Sequence, residues 1–255
     1  MGSHAIIDLN CDVGESETSD GMRHEHAILP FVSSINVACG GHAGTPETMQ
    51  HIVRASREHN LFVGAHPGFE DRLGFGRSPI DLPVEQIIEL VSRQCRALQA
   101  VCAANGVKLH HVKPHGALYN MAEEDRSIAD SVAYAIRSLD PNLIVYALAD
   151  GVLMSSCFAH DLAVWGEAFP DRGYNWAGKL IPRNQPDAVI AERDTIISRA
   201  LEMLLNQLVV TERGPLKCER INTVCFHSDH PEAAYCVQSV QSSLEKLGLK
   251  LANAI

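Results

Sequence analysis

The stretch His110-His111-Val112-Lys113-Pro114-His115-Gly116-Ala117-Leu118-Tyr119-Asn120 decides how the rest of the chain is read. Residues 107–112 form a short apolar run that predicts a strand. Pro114 holds the exit from that strand extended, and Gly116 permits a sharp turn before a helical pattern begins. An ammonium (Lys113) and an imidazole (His115) therefore stand at the C-terminal end of a strand. Adjacent strand residues face opposite sides, so of the histidine pair only His111 shares parity with Lys113 and His115.

Other segments end the same way. A first strand over 5–11 carries Asp8, Asn10 and Asp12 on one face and Ile7, Leu9 and Cys11 on the other. Gly14 breaks it, and 15–23 reads as a polar loop. A second strand over 34–39 runs into Gly40-Gly41-His42-Ala43-Gly44. Thr45-Pro46 then supplies an N-cap and a first-turn proline for a helix with Met49, Ile52, Val53 and Ser56 inward. A third strand over 61–63 is closed by Gly64-Ala65-His66-Pro67-Gly68, and a loop over 69–82 carries Arg72 and Arg77.

The clearest helix has Val84, Ile87, Ile88, Val91, Cys95, Leu98 and Cys102 as its stripe and Gly106 as its stop. The opening stretch is the fourth strand, with a helix around 128–139 after it. A fifth strand over 143–148, a helix over 152–160 and a sixth strand over 162–165 follow, the last leading into Gly166-Glu167. A long Gly-, Pro- and Arg-rich loop leads to a helix capped by Asp194, with Ile197, Leu201, Leu204 and Leu208 on one side. A seventh strand over 221–226 ends in His227-Ser228-Asp229. A last helix over 231–247 turns Ala234, Val237, Leu244 and Leu247 inward, and 249–251 reads as a short final strand.

Strand and helix alternating about seven times predict a parallel sheet with helical crossovers. Without a linker or composition shift, 5–255 reads as one domain. The first four residues, Met1-Gly2-Ser3-His4, are set aside as a cloning remnant. Asp12, His42, His66, Lys113, His115, Glu167 and His227 all fall at strand ends. That spread favours an α/β barrel of seven or eight parallel strands, whose sites are built from many strand ends, over an open doubly wound sheet.

Composition narrows the function classes. Net charge is −10, which argues against nucleic acid and anionic membrane surfaces as partners. No apolar run reaches the roughly 18 residues needed to cross a bilayer. Eight cysteines without a CxxC pair point to free thiols in a reducing, cytoplasmic setting. Gly173 to Lys179 has P-loop spacing, but Leu180 stands where Ser or Thr would hold magnesium, and Pro182 and Pro186 oppose a following helix.

The chemistry legible in these residues is acid–base. Asp12, Glu15 or Asp8 could act as base, His66 and His115 could carry protons near neutral pH, and Lys113 could stabilise an oxyanion. Arg72, Arg77, Arg172 and Arg183 could fork onto a carboxylate or phosphate. Asp12, His42, His66 and His115 are also ligand types for a divalent ion, but none has local metal-motif spacing, so the metal question stays open.

The segments Asp8 to Glu15, Asn36 to Gly44, Gly64 to Gly68, Gly74 to Arg77 and His111 to Asn120 resemble the LamB/YcsF family, whose members are described as the A subunit of 5-oxoprolinase (PxpA). Glu167 to Arg172, Leu180 to Arg183 and His227 to Asp229 agree, so the resemblance runs in order from Asp8 to about Leu249. It implies a distorted TIM-like barrel related to glycoside hydrolase and deacetylase barrels. It further implies ATP-dependent opening of the lactam 5-oxo-L-proline to L-glutamate, with partner subunits B and C and with ATP handled together with them. On that footing Asp12, Asp8, His66, Lys113 and His115 are the catalytic candidates. Asn10, His42, Arg77, Glu167 and Arg183 are the substrate-binding ones. The chain departs from the family pattern at Gly41 (usually Phe), Thr45 (usually Asp) and Ser228 (usually Gly), and lacks the Phe-Gly after the first motif. Two other readings stand beside this one: a metal-dependent deacetylase or amidohydrolase acting alone, and a non-catalytic binding protein of the same complex.

Overall fold

The computed structural model describes residues 7–228 and 230–254; Met1 to His4, the start of the first predicted strand and Asp229 lie outside them. Seven parallel strands close into a barrel in the order β1 (Asp8–Val13), β2 (Ser34–Ala38), β3 (Phe62–His66), β4 (Leu109–Val112), β5 (Ile144–Leu148), β6 (Ala163–Ala168) and β9 (Thr223–Phe226). The last strand completes the ring by pairing with both β6 (Glu167 opposite Thr223) and β1 (Asn10 opposite Cys225). Those two pairings exclude the open sheet.

Helices pack around the barrel: α1 (Ser19–Ile28), α2 (Pro46–Glu58), α3 (Val84–Ala104), α4 (Gly116–Ala122), α5 (Arg126–Leu139), α6 (Val152–Ala159), α7 (Arg193–Leu201) and α8 (Ala233–Lys246). Their apolar stripes meet the outward residues of the strands. Ile87, Val91, Cys95, Leu98 and Cys102 of α3 are buried, as are Leu9, Cys11 and Val13 of β1. Thr45 caps α2 in a reciprocal capping box with Thr48, as the Thr-Pro start requires. No helix among the described residues is long and apolar enough to cross a membrane.

Several sequence expectations are corrected. The expected polar loop over 15–23 turns helical at Ser19. Thr18 accepts from the Gly21 amide to cap α1, and the buried Glu25 accepts the Gly14, Glu15 and Ser16 amides. A carboxylate on the inner face is what obscures the helical period. Strands β3 and β6 run straight through Gly64 and Gly166, which the sequence suggests as breaks. A Cβ at Gly64 would sit 2.1 Å from His111 Nε2, and one at Gly166 2.0 Å from the Arg220 carbonyl oxygen. Both glycines answer close approach within a strand, not a turn.

Helix α7 is capped by Glu192, which accepts the Asp194 and Thr195 amides, not by Asp194. It runs into a π turn, Glu202–Asn206, and Gln207 at φ +57 ends it. Leu208, expected on the helix, opens instead an antiparallel hairpin, β7 (Leu208–Thr211) and β8 (Gly214–Lys217), outside the barrel. Leu247 is exposed. Residues 249–251 form no strand; a 3-10 turn, Ala252–Ala254, follows them.

Candidate active site

The inner face of the barrel is polar along its whole depth. At the bottom, Asp8 accepts from the Ser33, Ser34 and Thr223 hydroxyls. One layer up, Asn10 donates to Glu167 Oε1 at 3.1 Å and Thr223 Oγ1 at 2.6 Å. Asn36 donates to Asn10 Oδ1 at 2.7 Å and to Asp12 Oδ1 at 2.8 Å, while His111 Nε2 donates to Asn36 Oδ1. His111 stacks on Tyr146 with ring centroids 3.8 Å apart, and burial pushes its pKa far down, so it is a neutral strut.

The next layer opens to solvent at the C-terminal end of the barrel. Lys113 Nζ lies 3.0 Å from Asp12 Oδ1, 2.9 Å from Glu167 Oε1 and 3.0 Å from Cys225 Sγ. Asp12 Oδ2 lies 3.4 Å from His66 Nε2. Burial pushes Asp12 up, but the charges of His66 and Lys113 outweigh it and hold the carboxyl well below its usual range. Burial likewise opposes the Lys113 ammonium, and Asp12, Cys225 and Glu167 overcome it.

Hydrogen bonds fix the protonation of the histidines. His115 Nε2 donates to the Phe75 carbonyl oxygen at 2.8 Å, and His66 Nδ1 donates to the Lys113 carbonyl oxygen at 2.7 Å. The remaining nitrogens, His115 Nδ1 and His66 Nε2, face each other at 2.9 Å, so one proton lies between them. Burial and the neighbouring His42 and His66 push His115 well down, while His66, despite its burial, is raised by Asp12. Those opposite directions favour His66 over His115 as the holder of the shared proton. Glu15, on the segment leaving β1, accepts from His42 Nε2 at 2.9 Å; burial raises its pKa.

A cavity of about 560 Å³ sits over this layer. Asp12, Glu15, His66, Lys113 and His115 form its polar floor, and Phe75, Tyr119 and Phe169 its apolar side. Arg77, Arg172, Lys179 and Arg183 give the wall a basic edge.

Of the sequence candidates, Asp12, His66, Lys113, His115, Arg77 and Arg183 thus meet at one cavity. His42 stands behind His115, stacked at 3.5 Å between ring centroids. Glu167 reaches the floor through Lys113, and Asn10 and Asp8 lie deeper in the barrel. Asp8 is fully buried, and burial raises its pKa despite three hydroxyl donors. It is two layers from the cavity, because every second residue of a strand advances it by about 7 Å. Arg72 binds Glu17 and the Gly44 carbonyl oxygen instead.

At two positions singled out in the sequence, His227 and Gly41, the contacts themselves are not legible from sequence alone. His227 lines the cavity and its Nδ1 is held by Asp171. Both lie at the C-terminal ends of strands, but the contact joins residues too far apart in sequence to show any spacing signal. Gly41 is packed as tightly: a Cβ there would meet the Gly68 carbonyl oxygen at 2.5 Å. Gln94 fills the space beside it, bonding both the Gly68 amide and carbonyl oxygen.

A closed parallel α/β barrel with its ionisable groups gathered at the C-terminal mouth has the form of a barrel enzyme. The LamB/YcsF family pattern matches residues 7–255, and the chain belongs to that family. It is 40% identical over 245 residues to the 5-oxoprolinase A subunit of Bordetella parapertussis, covering 96% of this chain and 97% of that one. It is 41% identical over 244 residues to the protein of the same name from Natranaerobius thermophilus, covering 96% and 95%. A solved structure, the lactam utilization protein of Thermus thermophilus, superposes with a TM-score of 0.88 at 39% identity, covering 96% of this chain and 98% of that one.

Proposed function

We propose that this chain, as one barrel domain, is the ring-opening component of a cytoplasmic, ATP-dependent 5-oxoprolinase that hydrolyses 5-oxo-L-proline to L-glutamate with partner subunits B and C. The observation that carries the reading is the cavity floor: one carboxylate, Asp12, held ionised against Lys113, beside a His66–His115 pair that shares one proton. The names of the relatives supply the substrate class.

Lactam opening needs an activated water, a donor for the tetrahedral oxyanion and a proton for the departing nitrogen. Asp12 faces the cavity as the base. Lys113 directs its protons to Asp12, Glu167 and Cys225. The thiol is the weakest of these acceptors, so an oxyanion would take that proton. His66 and His115 hold the proton for the leaving nitrogen. Arg77 and Arg183, on the basic edge, suit the substrate carboxylate or a phosphorylated intermediate.

ATP fits this chain poorly by itself. Residues 173–179 close as a bridged turn, with Tyr174 paired to Leu180, where a phosphate loop would run into a helix. This supports the reading in which ATP is handled together with the partner subunits. The test is conversion of 5-oxoproline to glutamate by this chain with subunits B and C and ATP. Glutamate formation that depends on this chain supports the proposal, and its absence from the complete mixture defeats it.

A further inference from the structure

The position of the shared proton has two further neighbours. Glu15 Oε1 lies 3.5 Å from His115 Nδ1, 3.8 Å from His66 Nε2 and 2.9 Å from His42 Nε2. His115 Nδ1 and His66 Nε2 are 2.9 Å apart. One carboxylate oxygen and three imidazole nitrogens thus surround a single point, all within 4.8 Å of one another. A tetrahedral zinc ion with bonds of about 2.0–2.1 Å sets its ligand atoms about 3.3–3.4 Å apart. The three separations from Glu15 Oε1 and that between His66 and His115, from 2.9 to 3.8 Å, bracket that edge.

For two of the three histidines the outer contacts are those of a metal centre as well. A ligating histidine almost always donates its other ring N–H to a carbonyl or carboxylate, which fixes the tautomer and aims the lone pair. His66 Nδ1 and His115 Nε2 make such bonds, to the Lys113 and Phe75 carbonyl oxygens. With those protons committed, loss of the proton shared between His115 Nδ1 and His66 Nε2 leaves a lone pair on each, and a metal ion can take its place. His66 ends β3, and Glu15, His42 and His115 come from the segments after β1, β2 and β4, so the closed barrel itself brings the four ligands together.

We propose that Glu15, His42, His66 and His115 form a binding site for one divalent transition-metal ion of the zinc class, taken up in place of the shared proton. The second convergence, Asp12, Cys225 and His227, is not such a site, because the Lys113 ammonium already bonds both Asp12 and Cys225. While the ion is bound, His66 and His115 are ligands and no longer carry protons. Metal-loaded and metal-free protein are thus distinct states of the same mouth. The site rests on this geometry alone and stands or falls independently of the lactam assignment.

The experiment is titration of chelator-treated, dialysed full-length protein with Zn²⁺ and with Co²⁺ by calorimetry, with X-ray absorption on the zinc-loaded form. One ion per chain is expected, with a four-coordinate nitrogen/oxygen shell dominated by imidazole and no sulfur. Glu15→Gln and His42→Ala should each weaken binding by roughly tenfold or more, the size of effect seen when a metal site is damaged. Cys225→Ser should leave affinity unchanged. Circular dichroism of each variant confirms folding. Absence of a stoichiometric site, a sulfur ligand, or unaltered binding in both His42→Ala and His66→Ala would overturn the proposal.

Discussion

Asp12 and Lys113 form a 3.0 Å ion pair with both side chains almost wholly buried, at the top of a polar column that fills the barrel. Removing one member of a buried pair leaves the other without compensation, at a cost of about 3–5 kcal/mol. Lys113 also answers Glu167, so Lys113→Met should fall in that range by chemical denaturation. The double variant Asp12→Asn, Lys113→Met should recover part of the stability while staying inactive. A double-variant loss equal to the sum of the two single losses would mean the two side chains are not coupled.

Gly64 is a second point of strict packing. An added methyl would overlap the His111 ring, which is pinned between Asn36 and Tyr146. Gly64→Ala should therefore destabilise by about 1–3 kcal/mol through overpacking. Pairing it with His111→Ala should relieve the clash, and a thermal-melt comparison of the three variants checks this.

Burial raises Glu123 to about 7 even though it accepts the Val152 and Leu153 amides. A carboxyl with a folded value above its unfolded one binds the extra proton in the native state. Stability therefore falls as pH rises from about 4.5 through about 7, then levels off, by on the order of 3 kcal/mol. Glu123→Gln should flatten that part of the curve. Denaturation midpoints at pH 5 and pH 8 read the difference, and an unchanged slope would contradict the assignment.

All eight cysteines are free and buried, with burial pushing Cys39, Cys102 and Cys157 up to about 12. Reactive thiolates are absent under those conditions. A thiol reagent should titrate almost none of them in native protein and all eight after denaturation. Fast labelling of a native thiol would show that the barrel opens readily.

Much of this architecture is legible in the sequence, for identifiable reasons. The alternation Asp8, Asn10, Asp12 sets the inner face of β1, and Thr45-Pro46 sets the start of α2. The parity of Lys113 with His115 places both at the mouth. What local patterns hide is long-range. Glu25 turns its charge inward to bind three amides, and so the period of α1 is lost. Gly64 and Gly166 resemble turn residues until their close neighbours across the sheet are known. Parity gave Asp8 the correct face but not its depth, which depends on register with β2 and β9. The meeting of Glu15, His42, His66 and His115 depends on closure of the whole ring, and no spacing in the chain encodes it.

The most direct test of the ring-opening account is the rate of glutamate formation from 5-oxoproline with subunits B and C and ATP. It should be measured for wild-type, Asp12→Asn and His115→Ala chains that have been stripped of metal and shown to be folded. The account predicts turnover by the wild-type chain and losses of about 10²- to 10⁴-fold in each variant, the usual contribution of a positioned acid or base. Wild-type rates in both variants, or no glutamate from the wild-type mixture, would contradict it.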